Sequence, residues 1–121
     1  MARRRLTPNQ RQEIYNKTQG HCAYCGIALT LGGMSVDHVI PLSLGGRDKM
    51  DNMFPACHSC NHYKHTLSVE GFREMLQKMP DVLARDSVTY KNAVRFGLVI
   101  PNPHNITFYV ERPEMNQSDN K

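Results

Sequence analysis

All four cysteines of this chain stand in two Cys-x-x-Cys units, Cys22-Ala-Tyr-Cys25 and Cys57-His-Ser-Cys60, with 31 residues between them. Each unit is a short turn that can aim two sulfurs at one point. Two such turns can share an ion only if the chain between them loops back to where it started. In an extracellular chain the same residues would pair as disulfides, and in a reducing compartment they would hold a metal. The chain opens Met1-Ala-Arg-Arg-Arg5 without an apolar leader run, and no apolar stretch approaches the ~20 residues of a membrane span. A reducing, cytoplasmic setting follows as the expectation, with Cys22, Cys25, Cys57 and Cys60 binding a closed, structural Zn²⁺. The competing use, a thiol-disulfide enzyme, lacks a thioredoxin-like strand–helix pattern around either pair.

The 121 residues suit one compact domain, expected over 1–112 with its motif core at 22–65. A core of that size gains from a metal staple. Residues 113–121 are polar and are expected to be a disordered tail. Thr7-Pro8-Asn9-Gln10 reads as a capped helix start running to about Lys17 or Thr18, with Ile14 as its core residue. Met34 to Ile40 has strand character, and Asn52 to Ala56 is a second candidate strand stopped by Pro55. A helix from Cys57 or His58 runs to about His65. Phe72, Met75, Leu76 and Met79 mark a helix that Pro80 should end. Ser87 to Phe96 forms another, with Tyr90 and Val94 inward. Asn105 to Glu111 has strand propensity.

Between the cysteine pairs lies Asp37-His38-Val39-Ile40-Pro41-Leu42-Ser43-Leu44-Gly45-Gly46. His38 can act as a general base at neutral pH. Asp37 is a hard oxygen donor suited to Mg²⁺ or Mn²⁺. On a regular strand the two would face opposite sides, so a bulge or strand end is needed to bring both to one site. Asn61, directly after the last cysteine, is a second oxygen donor. His65 lies four residues on, on the same helical face, and would add a nitrogen ligand. That would widen the choice of ion to Ni²⁺ or Zn²⁺. Each residue also has a plain structural explanation: a strand-end Asp-His pair, Asn52 in a turn, Asn61 at a helix start, Gly45-Gly46 as a flexible turn. His21, His58, His62 and His104 read as surface or packing residues. Fifteen Lys and Arg against 11 Asp and Glu leave a net charge of +4, which permits a polyanionic partner without requiring one. Arg3 to Arg5, Arg47, Lys49 and Lys64 are candidate phosphate contacts.

Taken together, Cys-x-x-Cys-Gly, the Asp37–Gly46 decapeptide and Asn52-Met-Phe-Pro-Ala-Cys-His-Ser-Cys-Asn-His-Tyr-Lys64 resemble the zinc-stapled HNH endonucleases. The resemblance covers Cys22 to Lys64. It implies an α+β fold with a small ββα-metal core and a four-cysteine zinc site, flanked by an N-terminal helix, C-terminal helices and a short strand. It also implies hydrolysis of DNA phosphodiester bonds with one divalent cation. On that pattern His38 would activate water, Asp37 and Asn61 would ligate the cation, and Asn52 would hold the loop that aims His38. Family members serve phage DNA processing, restriction or element mobility. A bare zinc module that binds nucleic acid or protein is the alternative, and it has no use for the Asp37/His38/Asn61 set.

Overall fold

The computed structural model describes residues 5–113 and Met115. Its backbone forms two compact units, one made of the chain up to Val69 with the chain from Thr107 on, the other of Glu70–Ile106.

In the first unit, helix α1 spans Pro8–Asn16. Thr7 caps it through the expected box: its hydroxyl accepts from Gln10 N at 3.1 Å, and the Gln10 side chain accepts from Thr7 N at 2.9 Å. Strands β1 (Ser35–His38) and β2 (Met53–Ala56) pair antiparallel, from Ser35 opposite Ala56 to His38 opposite Met53. Pro55 does not stop the strand, as its residue type had suggested: its carbonyl accepts from Ala23 N on the side away from β1, so its missing N–H falls on that side and breaks no ladder. Helix α2 (His58–Lys64) follows β2 at once. Ile14, Met34, Val36 and Met53 form the buried core, with Leu6, Tyr15, Leu29 and Met50 packed against it. The Lys17 ammonium ties α1 to the hairpin by donating to Met50 O and Met53 O at 2.5 and 2.8 Å.

Between the strands the chain makes a tight excursion. Gly46 N donates to Pro41 O at 2.9 Å, which folds residues 41–46 back on themselves. A Cβ on Gly46 would lie 1.7 Å from Ile40 O, so this position needs glycine because backbone passes against backbone. Gly45 beside it has φ +89°, in the left-handed region. This turn is specified by sterics and is not merely flexible.

Two expectations are corrected. Residues 105–111 are not a strand: they run extended and end in a 3₁₀ turn at Tyr109–Glu111. Tyr109 N and Val110 N donate to Tyr24 O and Ala23 O at 3.0 Å, so the segment straps the first cysteine turn and joins no ladder. In the second unit, α3 (Val69–Asp86) continues through Pro80. An internal proline removes one i→i−4 bond and kinks a helix without having to end it. Helix α4 (Val88–Arg95) is capped by Ser87, whose Oγ accepts from Tyr90 N at 3.1 Å. Tyr90 and Val94 are half-buried, as expected, and line a cavity of about 320 Å³ with Pro80, Pro101 and Pro103. Among residues assigned to the tail, Met115 is buried and its N–H bonds Arg112 O at 3.1 Å, while 114 and 116–121 lie outside the described residues. No helix among the described residues is long and apolar enough to cross a membrane.

Gly46→Ala should lower stability by roughly 1–3 kcal/mol, the range for overpacking against a fixed neighbour. Gly32→Ala, where a Cβ meets nothing within 4 Å, should stay near wild type. Urea unfolding of both variants checks the contrast, and equal stabilities would remove the steric argument for the turn.

Candidate functional site

The two cysteine turns meet. The first is closed by Cys22 N to Ile27 O at 2.8 Å and Gly26 N to Cys22 O at 3.0 Å, and Ala23 N anchors it to Pro55 O of β2 at 2.9 Å. In the second, Cys57 caps α2, its sulfur accepting from Cys60 N at 3.3 Å. All four Sγ atoms lie within 4.8 Å of one another, and those of Cys25 and Cys57 are 3.8 Å apart. A tetrahedron built on Zn–S bonds of about 2.3 Å has edges of roughly 3.8 Å, so the donor set fits one Zn²⁺. The thiols show why a cation belongs there. Cys22 is pushed down to about 4, first by the hydrogen bond it accepts from Cys60. Cys60 is pushed up by donating that bond and by burial, and Cys25 is pushed up chiefly by burial. Without a metal the sulfurs must share protons.

β1 ends at the second cluster. Asp37 and His38 are 4% and 8% exposed and, with Asn61 and His65 of the α2 end, line one cavity of about 310 Å³. No bulge brings this about. The β1/β2 register is unbroken, and His38 is the last residue of its strand, so the strand end alone suffices. Asn61 and His65 are linked by the bond from His65 N to Asn61 O at 3.1 Å. His38 and Asn61 also border a neighbouring cavity of about 410 Å³ that Arg5, Arg11 and Asp48 line.

The surroundings of Asp37 were not legible in the sequence. Tyr24 Oη donates to its Oδ2 at 2.5 Å. Lys64 Nζ lies 3.1 Å from Oδ2 and 3.3 Å from Oδ1, and also donates to His38 O at 3.1 Å. Lys64 is 0% exposed, which corrects its reading as a phosphate contact: its charge is engaged by Asp37. Burial first, and then the Asp37 charge, push the Tyr24 hydroxyl well above its ordinary value, so it stays a donor.

Asn52 makes three side-chain bonds across the loop: Ile40 N to its Oδ1 at 2.9 Å, and its Nδ2 to Ile40 O at 2.9 Å and to Arg47 O at 2.8 Å. Sequence reasoning missed Asp48, whose Oδ1 lies 2.8 Å from His38 Nε2. The available signal was a carboxylate just beyond a Gly-Gly turn that must double back. Of the basic residues, Arg11 donates to Leu31 O and Met34 O at 2.8 and 3.0 Å, Arg47 and Lys49 are exposed, and Arg3 and Arg4 lie outside the described residues. His21 stacks on Tyr109 at 5.2 Å, and His58 and His62 stack on each other at 6.3 Å.

A sequence profile of the family described as HNH endonuclease matches residues 22–77. The CRISPR-associated endonuclease Cas9 of Corynebacterium diphtheriae is 31% identical over 55 residues, 45% of this chain and 5% of that protein. A crystal structure of the Type II-C Cas9 enzyme from Actinomyces naeslundii superposes with a TM-score of 0.52 at 20% identity, covering 57% of this chain and 8% of that one. At that identity the likeness is one of fold. The chain spans less than a tenth of either relative's length.

Two outcomes are expected. Metal binding as thiolates must displace the protons that raised thiols hold at neutral pH, so calorimetry in buffers of different ionisation enthalpy should show net proton release on Zn²⁺ binding, with Cys25 and Cys60, the thiols pushed up, contributing to it. Affinity, and with it metal-linked stability, should then rise with pH through the neutral range and fall on acidification, whereas a pH-independent constant would contradict the shared-proton picture. Separately, Asp37→Ala should cost about 3–5 kcal/mol by leaving the Lys64 charge buried and unpaired. Asp37→Leu/Lys64→Met should cost less than Asp37→Ala, as read from chemical denaturation.

Proposed function

We propose that this chain, whose residues 22–77 match the profile of the HNH endonuclease family, is a metal-dependent endonuclease that hydrolyses DNA phosphodiester bonds. One observation carries the reading: an imidazole, a carboxylate and an amide, from His38, Asp37 and Asn61, border a single cavity at the end of β1. A zinc-stapled fold needs none of them there.

The donor set at this cavity suits a hard divalent cation. A carboxylate offers about four lone-pair sites. Tyr24 and Lys64 take three on Asp37, leaving about one on Oδ1 for a metal. Asn61 adds a neutral oxygen, and His65 is a further candidate ligand. Mg²⁺ or Mn²⁺ fits the oxygen pair, and Ni²⁺ becomes competitive if His65 joins. When bound, such a cation polarises the phosphate and stabilises the leaving 3′ oxygen. The chain's own residues supply the rest. His38 accepts a proton from the attacking water. Asn52 fixes the loop on either side of the base by holding Ile40 and Arg47. Arg5 borders the adjacent cavity and is the candidate phosphate contact in this reading. The four-cysteine site, loaded with Zn²⁺, fastens the two turns that frame the cavity and takes no part in the chemistry. Thiolate ligation of this kind suits a reducing cytoplasm, and we read 1–112 as one nuclease domain.

A second reading has an observation behind it. The Lys64–Asp37 pair is what a purely structural buried carboxylate would show, as in a non-catalytic zinc module that binds nucleic acid or protein.

Plasmid nicking with Mg²⁺, Mn²⁺ or Ni²⁺ separates the two. His38→Ala should lose about 10²–10⁴-fold in cutting rate while keeping its zinc and its melting temperature. Asn61→Ala should likewise fail to cut. Products should carry 5′-phosphate and 3′-hydroxyl ends and ligate without repair. Equal cutting by wild type and His38→Ala would remove His38 from the mechanism, and no cutting by wild type with any metal would favour the binding module.

A further inference from the structure

We propose that Asp48 is the positioning residue for His38: its carboxylate holds the imidazole as the Nε2–H tautomer, leaving Nδ1 to take the proton of the attacking water. The inference rests on the nuclease reading and adds to it a residue that reading does not use. Asp48 Oδ1 lies 2.8 Å from His38 Nε2, with the side chains 19% and 8% exposed. A carboxylate only accepts, so Nε2 must donate, and a neutral ring that donates from Nε2 keeps its lone pair on Nδ1.

The loop is built to deliver this contact across ten residues of sequence. Gly46 lets the returning backbone press against Ile40 O, where any side chain would collide. Asn52 then grips Ile40, two residues after His38, and Arg47, one residue before Asp48. The two partners are thus tethered at both ends by the same amide. In the step, a water O–H bond breaks and an Nδ1–H bond forms, while the oxygen's electron pair goes to phosphorus. The scissile P–O bond gives its pair to the 3′ oxygen, which collects a proton from solvent. The positive charge that appears on the imidazole faces the Asp48 carboxylate, so the pairing strengthens as the proton moves.

The test uses the full-length, zinc-loaded protein labelled with ¹⁵N-histidine. Long-range ¹H–¹⁵N spectra at pH 8 read the tautomer directly, whether or not the protein cuts. Wild type should show His38 as Nε2–H, and Asp48→Ala should lose that bias. At saturating DNA, Asp48→Ala should lower kcat about 10²-fold with KM within about threefold, a smaller loss than deletion of the base itself. Asp48→Glu should recover part of the rate. Asp48→Asn, nearly isosteric, guards against misfolding of the alanine variant. With zinc content and melting temperature kept, it should also lose kcat. An Nδ1–H signal for wild-type His38, or an Asp48→Ala kcat within about threefold of wild type, overturns the proposal. A wild type inactive with every metal overturns the nuclease reading and the proton-transfer role with it, while the tautomer spectrum from the same sample decides the positioning claim independently.

Discussion

Four sulfurs must sit within 4.8 Å of each other, and most of the first unit follows from that demand. Cys22 and Cys25 belong to a turn pinned to β2 through Ala23, and Cys57 is the residue on which α2 begins. Bringing them together forces the 31 residues between to leave and return, and the shortest return path is an antiparallel hairpin. A two-stranded hairpin is marginal alone. Here it leans on α1 through Ile14 and on the sulfur cluster at its open end. A structural zinc contributes about 10–16 kcal/mol in small zinc-finger peptides, as much as the net stability of a typical domain. The thiol protons are the counterpart of that stabilisation: with Cys60 and Cys25 pushed upward, the metal-free cluster holds protons a cation would expel.

The same cluster sets the end of the hairpin where Asp37 and His38 lie. Asn61 follows a clamped cysteine directly, so it inherits the rigidity of the α2 start. Lys64, one helical turn on, reaches back to Asp37 on β1. Burying that ammonium is costly unless paired. The pairing is thorough: two carboxylate oxygens, the His38 carbonyl, and the Tyr24 ring at 5.9 Å. Such a pair adds little net stability against an apolar substitute, but breaking it is expensive. Its consequence is geometric. The carboxylate cannot rotate, because Tyr24 holds one oxygen and Lys64 touches both, so whatever it binds, it binds in one orientation.

Local signals are readable without the fold. The Thr7–Gln10 box, the strand around Val36, the α2 start at the cysteines and the metal-type spacing are each written in a few neighbouring residues. What escapes are choices made by distant partners. Lys64 looks like a surface cation until α2 is laid across β1. Asp48 looks like a loop acid until the Gly45-Gly46 turn returns it to His38. The β-rich string at Asn105–Glu111 has strand propensity, yet the acceptors its N–H groups meet are turn carbonyls at Ala23 and Tyr24, so it becomes a strap. Pro80 carries less weight than its residue type suggests: the sequence alone does not say that one missing hydrogen bond is tolerated in the middle of an 18-residue helix.

Charge balance at the cavity ties these pieces together under the nuclease reading. Asp48 faces the His38 imidazole, and the Asp37 residue borders the same cavity as that ring, where an anionic phosphate would have to come. Unit charges of like sign 4 Å apart repel by about 1–4 kcal/mol between water-like and surface-like dielectrics. Lys64 already neutralises Asp37, and Asp48 faces His38, whose charge appears only when it takes a proton. Before that moment the positive charge bordering the site comes chiefly from Arg5 and Arg11 on the neighbouring cavity. A divalent cation held by Asp37 and Asn61 would supply further positive charge at that cavity. With a cation bound, Asp48 would change from a cost in substrate binding to a gain in the proposed step, because it faces the imidazole that would become positive. On the nuclease reading, carboxylates placed in this way would make cutting depend on the cation.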